Sequence, residues 1–225
     1  MPKGATPYII VVLNGPWAFP ERLLALLAEA DCLIAADGGA NHLAEYGLYP
    51  HVLVGDMDSI SPALLHSLEE RGCRIVRFRR EKDETDGELA LREALALGAR
   101  RVTILGALGG RIDHALANIA LLAMPALDGL EVSLFDGLSW ISLVRREAEV
   151  HGQAGDLVSL IPWGGDALGI TTEGLAYPLR DEPLYAGAAR GVSNVLLGER
   201  ARITLREGRL LVIHTPQAYL EAPDA

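Results

Sequence analysis

Lysine is almost absent from this chain. Among 225 residues only Lys3 and Lys82 occur, and the other strong bases are arginines. That scarcity weighs against chemistry built on a catalytic lysine carried by a strand. Positive charge is short as well: 20 Lys and Arg face 30 Asp and Glu, a net charge of −10, where a nucleic-acid binder would show a basic face. An acidic enzyme can still act on polyphosphates when a divalent metal neutralises its site. Cysteine is limited to Cys32 and Cys73, which match no zinc spacing and make no disulfide framework. Long hydrophobic runs are missing too, since the apolar run 8–13 is too short for a span and stops at Asn14-Gly15. The N-terminus lacks the basic–apolar–small pattern of a signal peptide. These absences lead to the expectation of a cytoplasmic protein with reduced thiols, no membrane partner and no nucleic-acid partner.

What the chain does have is apolar substance, 50% of its residues, enough for a sizeable core. Its length suits two small domains. Short apolar runs at 8–13, 32–36, 52–54, 74–78, 102–105 and 132–135 alternate with amphipathic stretches at 20–30, 40–46, 85–97 and 112–123. A further helix starts at the Ser61-Pro62 cap and stops at Gly72. Strands alternating with helices of this length predict an α/β domain over 1–137, with a mainly parallel, doubly wound sheet. After Asp136-Gly137 the helical period disappears. Six short runs, at 140–144, 156–161, 168–172, 192–196, 201–205 and 210–214, predict a smaller all-β sandwich or barrel over 138–225. Glu207-Gly208 reads as a hairpin turn between the last two of them.

The chemistry concentrates where predicted strands end. The run 52–54 stops at Gly55 and delivers Asp56 and Asp58, two residues apart and so on one side of an extended chain end. Asp37 follows the second strand, Asp136 the last one, and Asp83, Asp86 and Asp113 sit in connections leading into helices. One such aspartate is an ordinary cap. So many at one sheet edge would repel each other without a cation, which favours a metal or metal–phosphate site over coincidental capping. Thr85 with Glu88 also reads as a capping box, a role that requires neither Asp83 nor Asp86. Residues 106–110 form a glycine-rich strand-to-helix turn suited to an anion, matching neither the dinucleotide fingerprint nor the Walker pattern. Arg111 beside it can grip a phosphate. His114 next to Asp113 reads equally as an acid–base pair or as a locally satisfied histidine, and carries no assigned role.

Four segments in this order resemble the thiamine pyrophosphokinase (thiamine diphosphokinase) family. They are Ala36-Asp37-Gly38-Gly39-Ala40-Asn41, Gly55-Asp56-Met57-Asp58-Ser59, Asp83-Glu84-Thr85-Asp86 and Gly109-Gly110-Arg111-Ile112-Asp113-His114. The likeness continues through Thr171 to Leu179, with Tyr177 at the aromatic position, and through Gly191-Val192-Ser193-Asn194. It implies transfer of a diphosphoryl group from ATP to the hydroxyethyl oxygen of thiamine, with Mg2+ as cofactor, giving thiamine diphosphate and AMP. It further implies a catalytic α/β domain that binds nucleotide and metal, and a β domain that binds thiamine and forms a homodimer with thiamine at the interface. Under that likeness Asp56, Asp58, Asp86 and Thr85 bind metal, and Asp113 joins the carboxylates as a catalytic group. Asp37, Gly38, Gly39, Asn41 and Arg111 lie on the ATP side, while Tyr177, Ser193 and Asn194 lie on the thiamine side. Two other readings compete. A haloacid-dehalogenase-type phosphatase would use Asp56 and Asp58 after a strand, normally the chain's first. A non-catalytic thiamine or nucleotide sensor would keep the pocket without turnover.

Overall fold

The computed structural model describes residues 7–220, so Lys3 lies outside them. Two compact units divide the chain, Met1–Gly137 and Leu138–Ala225. In the first, strands β1 (Tyr8–Val12), β2 (Cys32–Ala36), β3 (Val52–Gly55), β4 (Arg74–Arg77), β5 (Arg101–Leu105) and β6 (Glu131–Phe135) alternate with helices. These are α1 (Pro20–Leu27), α2 (Gly39–Glu45), α3 (Pro62–Glu70), α4 (Asp86–Ala96) and α5 (Ile112–Leu121). The strands lie in the order β6-β5-β1-β2-β3-β4, and every pairing among them is parallel. β1, β2 and β3 are buried along their whole length. Continuous apolar runs, without alternation, are what a strand covered on both faces requires. β4 closes the edge of the sheet and keeps Arg74 and Arg77 exposed.

Local signals set the helix ends. Ser61 accepts a hydrogen bond from Leu64 N at 3.2 Å, with Pro62 in the first turn of α3. Thr85 does the same for Glu88 N at 3.2 Å. The Glu88 carboxylate meets Arg92 instead of reaching back, so only half of the expected capping box forms. Gly72 and Gly98 end α3 and α4 with φ of +81° and +82°.

β1 sits where the strand order reverses: the chain runs outward to β4 on one side and to β6 on the other. A ligand crevice is expected at the carboxyl ends of the strands at such a point. Here the loops after β1 and β5 are locked together, with Leu13 N donating to Leu105 O at 2.8 Å and Gly15 N to Gly106 O at 2.9 Å. A Cβ on Gly15 would stand 2.3 Å from Gly106 O, so the approach requires glycine.

The second unit is all β. Strands β7 (Trp140–Val144), β8 (Glu147–His151), β9 (Leu157–Pro162), β10 (Ala167–Glu173), β11 (Arg180–Leu184), β12 (Asn194–Val195), β13 (Arg200–Thr204) and β14 (Leu210–Thr215) follow one another. They lie in two antiparallel arrays, β12-β9-β14-β7 and β11-β10-β13-β8. Val158, Leu160, Val212, Ile170 and Ile203, drawn from both arrays, share one core, as in a sandwich. β8 and β11 were not expected from the sequence. Both are edge strands, exposed and charged, and β11 carries Pro183, which an edge tolerates. The hairpin expected at Glu207-Gly208 does not form. β13 pairs with β10 and β8 while β14 pairs with β7 and β9, so this turn carries the chain from one array to the other.

Gly39 opens α2 directly over β1, where an added Cβ would meet Val12 O at 2.1 Å. Gly47 has φ +69° but nothing within 4 Å. Gly39→Ala is therefore expected to cost about 1–3 kcal/mol through forced displacement of backbone. Gly47→Ala should cost only about 1 kcal/mol, from its left-handed conformation. Thermal unfolding of the two variants checks the order.

Candidate active site

Three loops at the carboxyl edge of the parallel sheet deliver three carboxylates to one place. Asp37 follows β2, Asp56 follows β3, and Asp86 opens α4. One oxygen from each lies within 4.8 Å of the others. Like charges at that spacing repel by up to about 3 kcal/mol per pair at an effective dielectric near 20, less where water reaches them. Asp37 is 6% exposed, and its Oδ1 is buried without a hydrogen-bond partner. Its Oδ2 accepts from Ser59 N at 3.1 Å. Burial pushes the Asp37 carboxyl above the ordinary range; the Ser59 hydrogen bonds pull it back, and the charges of Asp86 and Asp56 raise it further. A buried carboxylate oxygen with no donor, facing two more acids, fits a hard divalent cation such as Mg2+.

The backbone is bent to make this convergence. Asp37 has φ +43° and Met57 φ +68°, both left-handed, and Gly55 has φ +148°. A Cβ on Gly55 would lie 3.0 Å from Asp37 Cβ and 3.3 Å from Asp86 Oδ1. The turn at Met57 also breaks the extended geometry that would have put Asp56 and Asp58 side by side. Asp58 instead points into solvent, accepts from Ser59 Oγ at 2.9 Å and pairs with Arg80 at 3.6 Å. Its backbone N–H donates to Asp56 Oδ1 at 3.2 Å, which orients the carboxylate inside the cluster. The Thr85 hydroxyl accepts from Glu88 N at the start of α4, and the residue lines the cleft.

Beside the acids lies a cleft of about 520 Å³, whose far wall is the turn from Gly106 to Gly110. Gly106, Gly109 and Gly110 all have positive φ, from +62° to +83°, the backbone of an anion-accepting turn. Arg111 stands at its end, 73% exposed, and grips Asp113 in a two-point contact: Nε to Oδ1 at 3.1 Å and Nη2 to Oδ2 at 2.6 Å. That contact holds the Asp113 carboxyl down at about 2. Asp113 thus lies apart from the three clustered acids and acts on the arginine. Asn41 Nδ2 donates to Ser59 O at 2.8 Å, tying α2 to the loop that carries Asp56. A Cβ on Gly38 would collide with the Asn14 side chain at 2.5 Å. These residues shape the wall of the cleft.

Asn118 and Lys82 are among the lining residues that the sequence did not single out. Asn118 Nδ2 donates to Ala107 O at 2.8 Å, pinning the glycine turn to α5; its signal was a lone amide in the apolar stretch that follows the polar first turn of this helix. Lys82 reaches Asp86 Oδ1 at 3.0 Å, its side chain only 13% exposed. The four-residue spacing to Asp86 was legible, but lysine was discounted for its rarity.

In the second unit Tyr177 is 71% exposed at the mouth of a cleft of about 500 Å³, shared with Leu179, Arg190, Val192 and Asn194. Asn194 is buried, and its amide is spent on backbone. Oδ1 accepts from Tyr177 N at 3.0 Å and Val195 N at 2.9 Å, and Nδ2 donates to Tyr177 O at 2.8 Å. Asn194 therefore fixes the segment that presents the ring. Ser193 takes φ +57°, its N–H donating to Ser159 Oγ at 2.9 Å.

Residues 23–134 match the family model described as thiamin pyrophosphokinase, catalytic domain, and residues 143–210 the one described as thiamin pyrophosphokinase, vitamin B1 binding domain. The chain is 29% identical over 209 residues to thiamine pyrophosphokinase of Bacillus subtilis, covering 92% of this chain and 98% of that protein. It is 30% identical over 230 residues to thiamine pyrophosphokinase 1 of Oryza sativa subsp. japonica, covering 89% and 84%. A solved structure of thiamine pyrophosphokinase from Bacillus subtilis superposes with a TM-score of 0.84 at 28% identity, over 93% of this chain and 99% of that one.

Replacing the orphan oxygen should separate a binding role from a structural one. The amide nitrogen introduced by Asp37→Asn would face the Asp56 and Asp86 oxygens and relieve their repulsion. In metal-free buffer at neutral pH this variant is expected to melt about 2–4 °C above wild type, roughly 1 kcal/mol for a chain of this size. Added Mg2+ should stabilise wild type and not the variant. The sign follows from the raised carboxyl: the folded state holds its proton more tightly, so this group's contribution falls as pH rises above the usual carboxylate range. A variant that melts lower with and without Mg2+ would make Asp37 a structural cap.

Proposed function

The chain belongs to the thiamin pyrophosphokinase family, and from that premise we propose how its own residues carry the diphosphoryl transfer from ATP to thiamine. The observation that carries the proposal is the convergence of Asp37, Asp56 and Asp86, with an unpartnered buried oxygen, on a glycine turn built for an anion. Asp37, Asp56 and Asp86 would hold Mg2+, which neutralises polyphosphate charge and orients it. Asp58 acts one step back, its backbone N–H orienting Asp56. Thr85 fixes the start of α4 and so the position of Asp86. The turn at 106–110 takes phosphate oxygens on backbone N–H groups. Arg111, steered along one edge by Asp113, offers its other edge to the same phosphates.

Diphosphoryl transfer asks for placement and charge neutralisation more than covalent catalysis. The residues at the cleft supply both, and none of them is arranged as a nucleophile. Cys32 and Cys73 are free, and burial pushes the Cys73 thiol up to about 11, which leaves it unreactive. The phosphatase reading is disfavoured because Asp56 follows the third strand of the sheet and Asp58 points away from the cluster.

For thiamine, a cation, an exposed aromatic face suits better than a basic pocket. Tyr177 is that face, held by Asn194, with Ser193 on the same segment. Exposure of Tyr177, Val192 and Leu197 supports a homodimer in which a second copy covers this surface and encloses thiamine. No helix among the described residues is long and apolar enough to cross a membrane, in keeping with a cytoplasmic setting.

Incubating the protein with ATP, Mg2+ and thiamine should yield AMP and thiamine diphosphate in equal amounts, read by chromatography. ADP or free phosphate in their place would refute the assignment. Asp86→Asn is expected to lower kcat about 100-fold or more while the fold persists. Tyr177→Ala should raise the thiamine KM about tenfold, through loss of one ring–cation contact, and leave the ATP KM nearly unchanged. An equal rise in both would remove Tyr177 from the thiamine pocket.

A further inference from the structure

Lys82 stands in an unusual place for a lysine. It lies in the loop between β4 and α4, lines the cleft of the acid cluster, and keeps only 13% of its side chain exposed. Its ammonium is 3.0 Å from Asp86 Oδ1, the oxygen that no aligned hydrogen bond satisfies. The other cations bordering the cleft are committed to solvent-side partners: Arg80 to Asp58, 82% exposed, and Arg111 to Asp113, 73% exposed. Among the described residues, Lys82 is thus the one strong base lining this cleft that is paired with a member of the cluster.

We propose that Lys82 is a counter-ion to the three carboxylates whenever metal is not bound, and that it passes to the polyphosphate when a divalent cation binds. The inference rests on the reading of the cleft as a Mg2+–ATP site. Three convergent carboxylates need positive charge in either state, and an ammonium supplies it when no metal is present. If Asp86 helps to hold a divalent cation, its carboxylate is no longer available to Lys82, and like charge would drive the ammonium off. The freed lysine is a flexible point charge with three donors. It then faces a cleft whose other wall is the glycine turn, where the proposed reading puts the phosphates of the nucleotide. The lysine therefore screens the acids first and contacts phosphate second, which couples metal arrival to nucleotide capture.

The sequence offers a clean assay, because Lys3 and Lys82 are its only lysines. Limited acylation by an amine-reactive ester, followed by peptide mass spectrometry, gives the ratio of Lys82 to Lys3 modification in the wild-type protein. The ratio is expected to rise about tenfold when Mg2+ alone is added, as the carboxylate contact is lost. It should fall again when ATP joins the Mg2+ in the absence of thiamine. A ratio indifferent to Mg2+ would overturn the displacement, and one that stays high with ATP would overturn the phosphate contact. Lys82→Met supplies the second arm. Its melting temperature should lie about 2–4 °C below wild type without metal and coincide with wild type in saturating Mg2+. Its ATP KM should rise about tenfold, for one lost charge-assisted contact. Equal destabilisation with and without Mg2+ would reduce Lys82 to a structural ion pair. Neither labelling nor melting needs turnover, so they report on Lys82 separately from the AMP assay, whose failure would count against the function itself.

Discussion

Mutual repulsion among Asp37, Asp56 and Asp86 is the constraint around which the α/β unit is arranged. Three carboxylates within 4.8 Å resist being brought together, and the chain supplies the force by rigid means. Each acid leaves a buried element of one parallel sheet or the helix packed on it, so the convergence is held by the core. α4, which carries Asp86, packs against β1, β2 and β3, so Asp86 cannot retreat without disturbing the buried centre of the sheet. The local cost shows as left-handed backbone at Asp37 and Met57. Strain of this sort persists only where surrounding structure over-determines it, and it gathers where a ligand will use it.

The opposite wall of the cleft follows the same logic with backbone in place of charge. The loops after β1 and β5 approach so closely that glycine is required at 15 and 106. Asn118 then ties the turn to α5. An acidic wall and a glycine turn of anion-accepting geometry line one cleft, and it is this pairing that the proposed reading assigns to a metal-bound polyphosphate. Lys82 on the acidic side and Arg111 at the end of the turn both line the cleft, each paired with an acid.

The β unit works by presentation. Its core is shared by two arrays of four strands, and the segment proposed to meet thiamine presents an exposed tyrosine whose backbone is clamped by a buried asparagine. The side-chain hydrogen bonds of Asn194 go to backbone, so it shapes the wall of the cleft that it lines. The edge strands β8 and β11 are rich in charged residues, and β11 carries Pro183, which an edge tolerates; the inward side of β8 is only Ala148 and Val150, too short an apolar alternation to stand out among Glu147, Glu149 and His151.

The alternation of strands and helices to residue 137, the all-β texture beyond it and the acids at strand ends were legible in the sequence. They depend on short-range periodicity, capping residues and turn residues, each of which acts within a few positions. The spacing of Lys82 and Asp86 was legible too, although rarity concealed its meaning. Which acids meet was not legible. Parity along an extended chain paired Asp56 with Asp58, yet a left-handed Met57 turned Asp58 away and the sheet order brought Asp37 and Asp86 in. The partners of Asn194, the sheet-crossing turn at Glu207-Gly208 and the sequestered ammonium of Lys82 were likewise decided only in three dimensions. Side chains far apart in the chain are neighbours because of strand order and packing, and no local pattern encodes those distances.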